Sequence, residues 1–366
     1  MSKPITSRAE GRVVVAMSGG VDSSVAAALL VEQGYEVLGV TMRLWTEEDP
    51  SASRHHKRCC SVEDTDDARA AADVLGIRHY VLNMEREFSE AVIDRFVEEY
   101  ALGRTPNPCL SCNEHVKFRP LMEHAMALGA DYLATGHYAR IRHGAARAEL
   151  WRAADPGKDQ SYVLYTLGQT ELNRTMFPVG EYPKAEIREV ARRHRLPNAE
   201  KPDSADICFI PSGDYRSFVR SRVESEPGDI VSSDGEWVGR HDGIVDYTVG
   251  QRKRVPARGG DEPLFVLNVD AKTNLVVVGA HDELMADGLL ADDLKFCDGA
   301  PSETPTDVLA RIRYGAEAVP AELRVTSVGS AEVRFESAQR AVTPGQAVVF
   351  YEGDRVLGGG TISGQL

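Results

Sequence analysis

The chain has 366 residues, 42% of them hydrophobic and 27% charged, the balance of a soluble globular protein of roughly two to three domains. A formal charge of −14 argues against a nucleic-acid partner held by overall charge, and the longest apolar run, Val25–Val31, is too short to cross a bilayer. With no apolar leader before Val13, a cytoplasmic location without a membrane partner is expected, and the six cysteines then point to thiol or metal chemistry rather than a disulfide framework.

From Arg12 to about Gly136 strands and helices alternate: an apolar strand through Val13–Met17, a helix over Val21–Gln33, a strand over Tyr35–Met42, and a helix over Asp64–Leu75. A strand over His79–Asn83, two further helical runs and a last strand over Asp131–His137 complete the pattern. This texture predicts a doubly wound parallel α/β sheet with ligands at the carboxyl ends of its strands. Thr46–Arg58 is polar and without period, and reads as a mobile loop. The first strand runs straight into Ser18-Gly19-Gly20-Val21-Asp22-Ser23-Ser24, which opens the first helix. Glycines let the backbone approach a ligand, and the helix N–H groups with their positive dipole end face it, so a phosphate chain is the expected occupant. No Gly-Lys-Ser/Thr follows and the dinucleotide Gly-x-Gly-x-x-Gly spacing is absent; an ordinary turn capped by Ser18 or Asp22 is the competing reading.

Thr105–Asn113 places Cys109 and Cys112 in a proline-stiffened turn ahead of a helix expected to begin near Glu114, where the positive helix end lowers a thiol pKa. Cys208 stands alone in the polar loop Pro202–Ile210, and Cys297 reads as a buried thiol. Cys112 and Cys208 are therefore candidate nucleophiles, while Cys109, Cys112 and Cys208 together would suit zinc or an iron–sulfur cluster with one open iron. Cys59 and Cys60, after His55-His56-Lys57-Arg58, are poorly spaced to share one ion.

Helical texture continues over Ser161–Arg195 and breaks over Pro197–Ile210. Lys184, Arg188, Arg192, Arg193 and Arg195 make one basic cluster, and Arg252, Lys253, Arg254 and Arg258 another; each reads equally as a nucleic-acid contact or a solvated face. After about Gly228 come short β-prone runs at Gly243–Gly250, Pro263–Asp270, Asn274–Ala280, Val308–Gly315, Ala321–Val328, Ala331–Ser337, Ala347–Gly353 and Arg355–Ile362, predicting one or two antiparallel modules, the last barrel-like.

The turn at Ser18–Ser24 resembles the PP-loop of the ATP pyrophosphatases. Together with Thr105–Phe118, Ala134–Arg140, Lys158–Leu164, Asp203–Ile210, Tyr247–Arg254, Arg311–Gly315 and Pro344–Ile362, it makes nearly the whole chain resemble the tRNA-specific 2-thiouridylases. The resemblance implies a nucleotide and catalytic domain over 1–210, with a tRNA-binding helical part near 160–200. A small central β-rich domain over 211–278 and a C-terminal β-barrel over 279–366 would follow it. It implies a sulfurtransferase that adenylates the wobble uridine of tRNA with ATP and Mg2+, then replaces its 2-oxygen with persulfide sulfur. Ala16, Met17, Ser18, Gly19, Gly20, Val21, Asp22 and Ser23 would hold the nucleotide phosphates, and Met42 and Gly136 would line its adenine and ribose side. Cys208 would carry the persulfide and Cys112 would close a disulfide with it. Asn107, Pro108 and Cys109 would meet the target base, while His137, Lys158, Asp159, Gln160, Arg313, Tyr314 and Gln346 match tRNA-contacting positions. Acceptors for Lys, Glu and Gln are the implied tRNAs, and a cysteine desulfurase or relay protein the implied sulfur donor. Two positions depart from the pattern: Cys109 stands where many members have Asp, and Asp203–Cys208 reads DSADIC rather than DSTGIC. A ligase that adenylates a small carboxylate and a non-enzymatic RNA-capture module are the competing functions.

Overall fold

The computed structural model describes residues 11–45, 62–144, 146–203, 207–210, 213–256, 263–298 and 305–366. The expected loop Thr46–Arg58, the cysteines Cys59 and Cys60 with their preceding histidines, Ser204–Asp206 and Arg258 lie outside the described residues. Two compact units divide the chain: Met1–Ser89 with Cys112–Pro211, and Glu90–Ser111 with Ser212–Leu366. No helix among the described residues is long and apolar enough to cross a membrane.

In the first unit five strands, β1 (Arg12–Ala16), β2 (Glu36–Arg43), β3 (Arg78–Asn83), β4 (Tyr132–Thr135) and β7 (Thr175–Met176), lie in the order β3-β2-β1-β4-β7, every pair parallel. A hairpin of β5 (Ala139–His143) and β6 (Ala148–Arg152) stands between β4 and β7 in the chain. Val13, Val14 and Val15 in β1 are wholly buried, as befits a central strand covered on both faces. Each such valine contributes about 1.5–3 kcal/mol through burial. The helix Val21–Glu32 buries Val25 through Leu30 and is apolar on most sides for that reason. Chain order reverses between β1 and β4, so the crevice beyond their carboxyl ends is the topological switch point where ligands bind in such sheets.

The region Ser161–Arg195 is less helical than its texture predicts. Single turns at Ser161–Val163 and Gln169–Leu172, the short strand β7, and a further turn at Pro178–Glu181 precede the helix Lys184–Arg193. Gly168, Pro178, Gly180 and Pro183 punctuate this stretch, and each proline removes a helical donor. The helix expected to begin near Glu114 starts instead at Pro108, a first-turn position that needs no N–H, and Asn107 Oδ1 accepts from the Cys109 N–H at 3.1 Å. It widens to π spacing over Asn113–Leu121, which accommodates Pro120, and ends with Met122–Ala127. Cys109 therefore lies in the first turn and Cys112 a turn further on, where the dipole has faded.

The second unit holds a four-stranded sheet of β8 (Gly228–Ser232), β9 (Trp237–His241), β10 (Phe265–Asp270) and β11 (Leu275–Gly279), ordered β10-β11-β8-β9. It also holds a closed antiparallel barrel: β12 (Met285–Phe296), β13 (Thr306–Arg311), β14 (Val319–Ser327), β15 (Ser330–Arg340), β16 (Ala347–Glu352) and β17 (Arg355–Gln365) run β12-β15-β14-β13-β16-β17, and β17 pairs back onto β12. Closure removes the exposed edges that a β module must otherwise protect. Within Gly243–Gly250, expected as β, Ile244–Asp246 forms a 3-10 turn instead: Asp246 is buried and takes ion pairs from Arg220 and from Arg254, the latter at 2.9 Å.

Candidate nucleotide site

The turn Ser18–Ser24 keeps its shape through its own hydroxyls. Ser18 N–H donates to Ser23 Oγ at 3.1 Å, and Ser23 Oγ donates to the Gly20 carbonyl at 3.1 Å. Gly20 begins the helix, and no side chain caps it, so neither Ser18 nor Asp22 fills the role that the ordinary-turn reading required. Gly19 has φ +74°, and a Cβ there would lie 2.2 Å from the Asp64 carbonyl oxygen. Beneath the turn, Thr41 donates to the Met17 carbonyl at 2.7 Å while its own oxygen meets His79 Nε2 at 2.8 Å. Burial, followed by Arg69, lowers the His79 pKa, which favours the neutral ring suited to that contact.

A cavity of about 260 Å³ opens here, lined by Ala16, Met17, Ser18, Gly20, Val21, Asp22, Ser23, Met42 and Gly136 from the expected nucleotide set. Gly19 alone of that set is outside the lining; its carbonyl turns away to accept from Asn198 Nδ2 at 3.0 Å and Lys201 Nζ at 3.3 Å. Gly136 packs so closely that a Cβ would stand 2.6 Å from the Ser23 nitrogen.

His137 and Gln160, expected at tRNA, also line this cavity, with Lys117, Thr135, Pro202 and Asp203. His137 Nδ1 meets Thr135 Oγ1 at 2.7 Å and its Nε2 lies 3.5 Å from Lys117 Nζ. Burial, helped by the Lys117 charge, holds its pKa well below the ordinary imidazole value, so the ring is neutral. Lys117 is steadied by Asn113 Oδ1 at 2.9 Å, and Asn113 by its own bond to the Val163 carbonyl at 2.8 Å.

The acidic groups at the cavity are neutralised in place. Asp22 receives Lys184 Nζ at 2.7 and 2.8 Å and the Tyr138 hydroxyl at 2.8 Å. Burial, then Asp22, pushes the Tyr138 pKa up, which keeps that hydroxyl a donor. Asp203 takes ion pairs from Lys158, Lys184 and Arg188 at 2.8, 3.0 and 3.1 Å. Burial works against its charge, yet the hydrogen bonds from Lys158 and Lys184 hold its pKa at about 2. Among these cations Lys117 lines the cavity itself, while Lys158, Lys184 and Arg188 pair with its carboxylates Asp22 and Asp203 and offset their charge, which lessens the repulsion a polyanionic ligand would meet.

Other expected positions turn inward. Asp159 is buried and accepts from the backbone of Ala153 and Ser161, both at 3.1 Å. In the second unit, Arg313 donates to the carbonyls of Arg340 and Ala341 at 2.6 and 2.7 Å, and Gln346 Nε2 to the Thr105 carbonyl at 2.7 Å. That contact steadies the approach to Asn107, Pro108 and Cys109, of which Cys109 is exposed. Tyr314 presents its ring, with Arg311 5.7 Å from its centroid. In the first unit Cys112 is buried and Cys208 half-buried, and Cys208 is followed by Phe209, whose ring meets Phe88 edge-on at 5.7 Å. Among the described residues, no group of three or more His, Cys, Asp or Glu side chains is arranged to hold a metal ion.

Lys117, Lys184, Asn198, Lys201 and Asp203 were not singled out by sequence reasoning as nucleotide-site residues. Lys184 was visible only as one charge of a basic cluster, and the lone signal for the others was their nearness to Cys112 and Cys208.

Residues 11–212 match a family model described as a tRNA methyl transferase HUP domain, 216–280 a tRNA methyl transferase PRC-barrel domain, and 286–362 an aminomethyltransferase beta-barrel domain. The chain is 49% identical to the tRNA-specific 2-thiouridylase MnmA of Roseiflexus castenholzii, over 96% of this chain and 99% of that one. Against the protein of the same name from Carboxydothermus hydrogenoformans it is 48% identical, over 97% and 98%. Lachnoclostridium phytofermentans has another so named, 48% identical over 96% and 99%. With likeness of this degree running along almost the whole of both chains, and a glycine turn lining a cavity at the switch point of its sheet, the protein belongs to the tRNA-specific 2-thiouridylase family.

Proposed function

We propose that this protein is a tRNA sulfurtransferase that uses ATP to convert the wobble uridine to 2-thiouridine. The observation that supports the reading is the cavity at the ends of β1 and β4, where an uncapped helix N-terminus and Lys117 face one space and Lys158, Lys184 and Arg188 offset the carboxylates of the lining. Uracil O2 attacks the α-phosphorus of ATP, the α–β bridging bond breaks, and pyrophosphate leaves from the turn Ser18–Ser23. The O2–AMP group so formed is a good leaving group. The terminal sulfur of a Cys208 persulfide attacks C2 and expels AMP. The Cys112 thiolate then attacks Cys208 Sγ, which breaks the S–S bond, releases the thiouridine sulfur as its thiolate and leaves a Cys112–Cys208 disulfide for an external thiol to reduce.

Of the two cavity carboxylates, Asp22 stands in the turn itself and offers the hard oxygen donors that Mg2+ prefers; the ion would be held there and by the ATP phosphates, neutralising their charge. Cys109 and the Tyr314 ring are the exposed members of the expected tRNA set and are assigned to direct contact, Tyr314 by stacking. Asp159, Arg313 and Gln346 are assigned to holding backbone within their own units. A cysteine desulfurase or relay protein is the proposed sulfur donor, and tRNAs for Lys, Glu and Gln the proposed substrates.

The test is nucleoside analysis of unmodified tRNA after incubation with protein, ATP, magnesium and a persulfide donor. 2-Thiouridine that needs ATP, is absent with Cys208→Ser and coexists with retained tRNA-dependent pyrophosphate release is the expected result. A fully active Cys208→Ser protein would overturn the persulfide assignment. Pyrophosphate release independent of tRNA would favour a small-carboxylate ligase.

A further inference from the structure

Asp203 is an anion held at an anion site. Its carboxylate, on the cavity wall, is gripped by Lys158, Lys184 and Arg188, and two of these cations come from the helix Lys184–Arg193. The exposures of the two partners differ: Lys184 is 12% exposed and Asp203 41%. The cation is therefore the fixed member and the carboxylate the one that faces open space. Lys184 is anchored independently of Asp203, since its backbone N–H donates to Asp155 Oδ2 at 3.0 Å and its ammonium lies 5.6 Å from the centre of the Tyr138 ring. Its second partner, Asp22, belongs to the phosphate turn itself.

A carboxylate on several ammonium and guanidinium donors presents nearly the same charge and acceptor geometry as a phosphoryl oxygen pair. Exchange of one for the other keeps the donors satisfied, whereas a triphosphate arriving beside an undisplaced Asp203 would meet a like charge. We propose that Lys184 is a phosphate-binding residue of the nucleotide cavity that takes the pyrophosphoryl end of ATP, and that Asp203 is the internal anion it holds until nucleotide arrives. The proposal rests on the ATP reading above and adds which end of the nucleotide meets the helix Lys184–Arg193.

Inorganic pyrophosphate and AMP, titrated separately into the full-length protein at fixed magnesium, separate the two ideas. Lys184→Met is expected to lose roughly 10- to 100-fold in pyrophosphate affinity, the scale of a hydrogen bond to a charged group, with AMP affinity unchanged. Lys184→Arg should keep most of the pyrophosphate affinity, and Asp203→Asn should raise it severalfold by removing the competing charge. Wild-type pyrophosphate affinity in Lys184→Met, or an equal loss of AMP affinity, would overturn the role of Lys184. Weaker pyrophosphate binding by Asp203→Asn would overturn the stand-in. If the unaltered protein binds neither probe, the ATP reading itself fails.

Discussion

Asn198 donates its side-chain amide both to the Gly19 carbonyl, at 3.0 Å, and to Ser24 Oγ, at 2.9 Å, and so ties the stem of the Cys208 loop to the phosphate turn. Its side chain is almost wholly buried, so neither acceptor has water to fall back on. Asn198→Ala is expected to cost about 1–3 kcal/mol of stability and to weaken ATP binding, as read by urea unfolding and nucleotide titration on one preparation. Unchanged values for both would show the tie to be incidental.

Gly136 admits no side chain. Its Cβ would sit 2.6 Å from the nitrogen of Ser23 and 2.8 Å from the carbonyl carbon of Asp22, and backbone atoms at a helix start have nowhere to retreat. Gly136→Ala should displace the helix N-terminus, costing about 1–3 kcal/mol, and reduce ATP affinity. The same substitution at Gly34, where nothing lies within 4 Å of the added Cβ, should leave ATP affinity intact, although its φ of +89° will cost stability.

The cysteines should separate by alkylation. Cys109 is exposed, whereas Cys297 is 3% exposed and its pKa is pushed up to about 12, by burial first and then by Asp298. Brief iodoacetamide treatment near pH 8, followed by peptide mass spectrometry, should label Cys109 and spare Cys297 until the protein is unfolded. Early labelling of Cys297 would contradict its burial.

His137 couples stability to pH. The unfolded chain takes up a proton near 6.5, and the native ring, through burial and the Lys117 charge, refuses it until far lower pH. Its contribution is therefore full above about 6.5 and is lost as pH falls below that value. His137→Asn should flatten the decline in unfolding free energy between about pH 6.5 and 5. An unchanged slope would mean that the ring protonates in the folded state.

The turn Ser18–Ser24 was legible as a junction because strand, turn and helix are contiguous in sequence. The barrel strands were legible from alternation, except β12, where Asp287, Gly288, Asp292 and Asp293 mask a strand that closes the barrel through β15 and β17. What surrounds the turn was hidden for a different reason. Lys184 meets Asp22 across 162 positions, and Asn198 meets Gly19 across 179, distances over which one sequence without a fold offers no pairing signal. The stretch through Ser161–Pro183 misled because helix-forming residues there sit between punctuating glycines and prolines, and β7 takes its order from pairing with β4.

The second unit is built from two pieces of chain, Glu90–Ser111 and Ser212–Leu366, with the intervening residues belonging to the first. Phe96 and Tyr100 of the early piece pack on Phe218 and Tyr215 of the late one, at ring separations of 6.5 and 4.8 Å. On the ribosome that aromatic face emerges without its partner and waits while residues 112–211 are made, roughly 5–20 s at common elongation rates. The interval exposes a sticky surface on a nascent chain whose first unit is meanwhile being completed. Chaperone demand and sensitivity to translation speed should accordingly concentrate on Glu90–Ser111, and synonymous changes that slow synthesis beyond Pro211 should lower soluble yield without altering a single side chain.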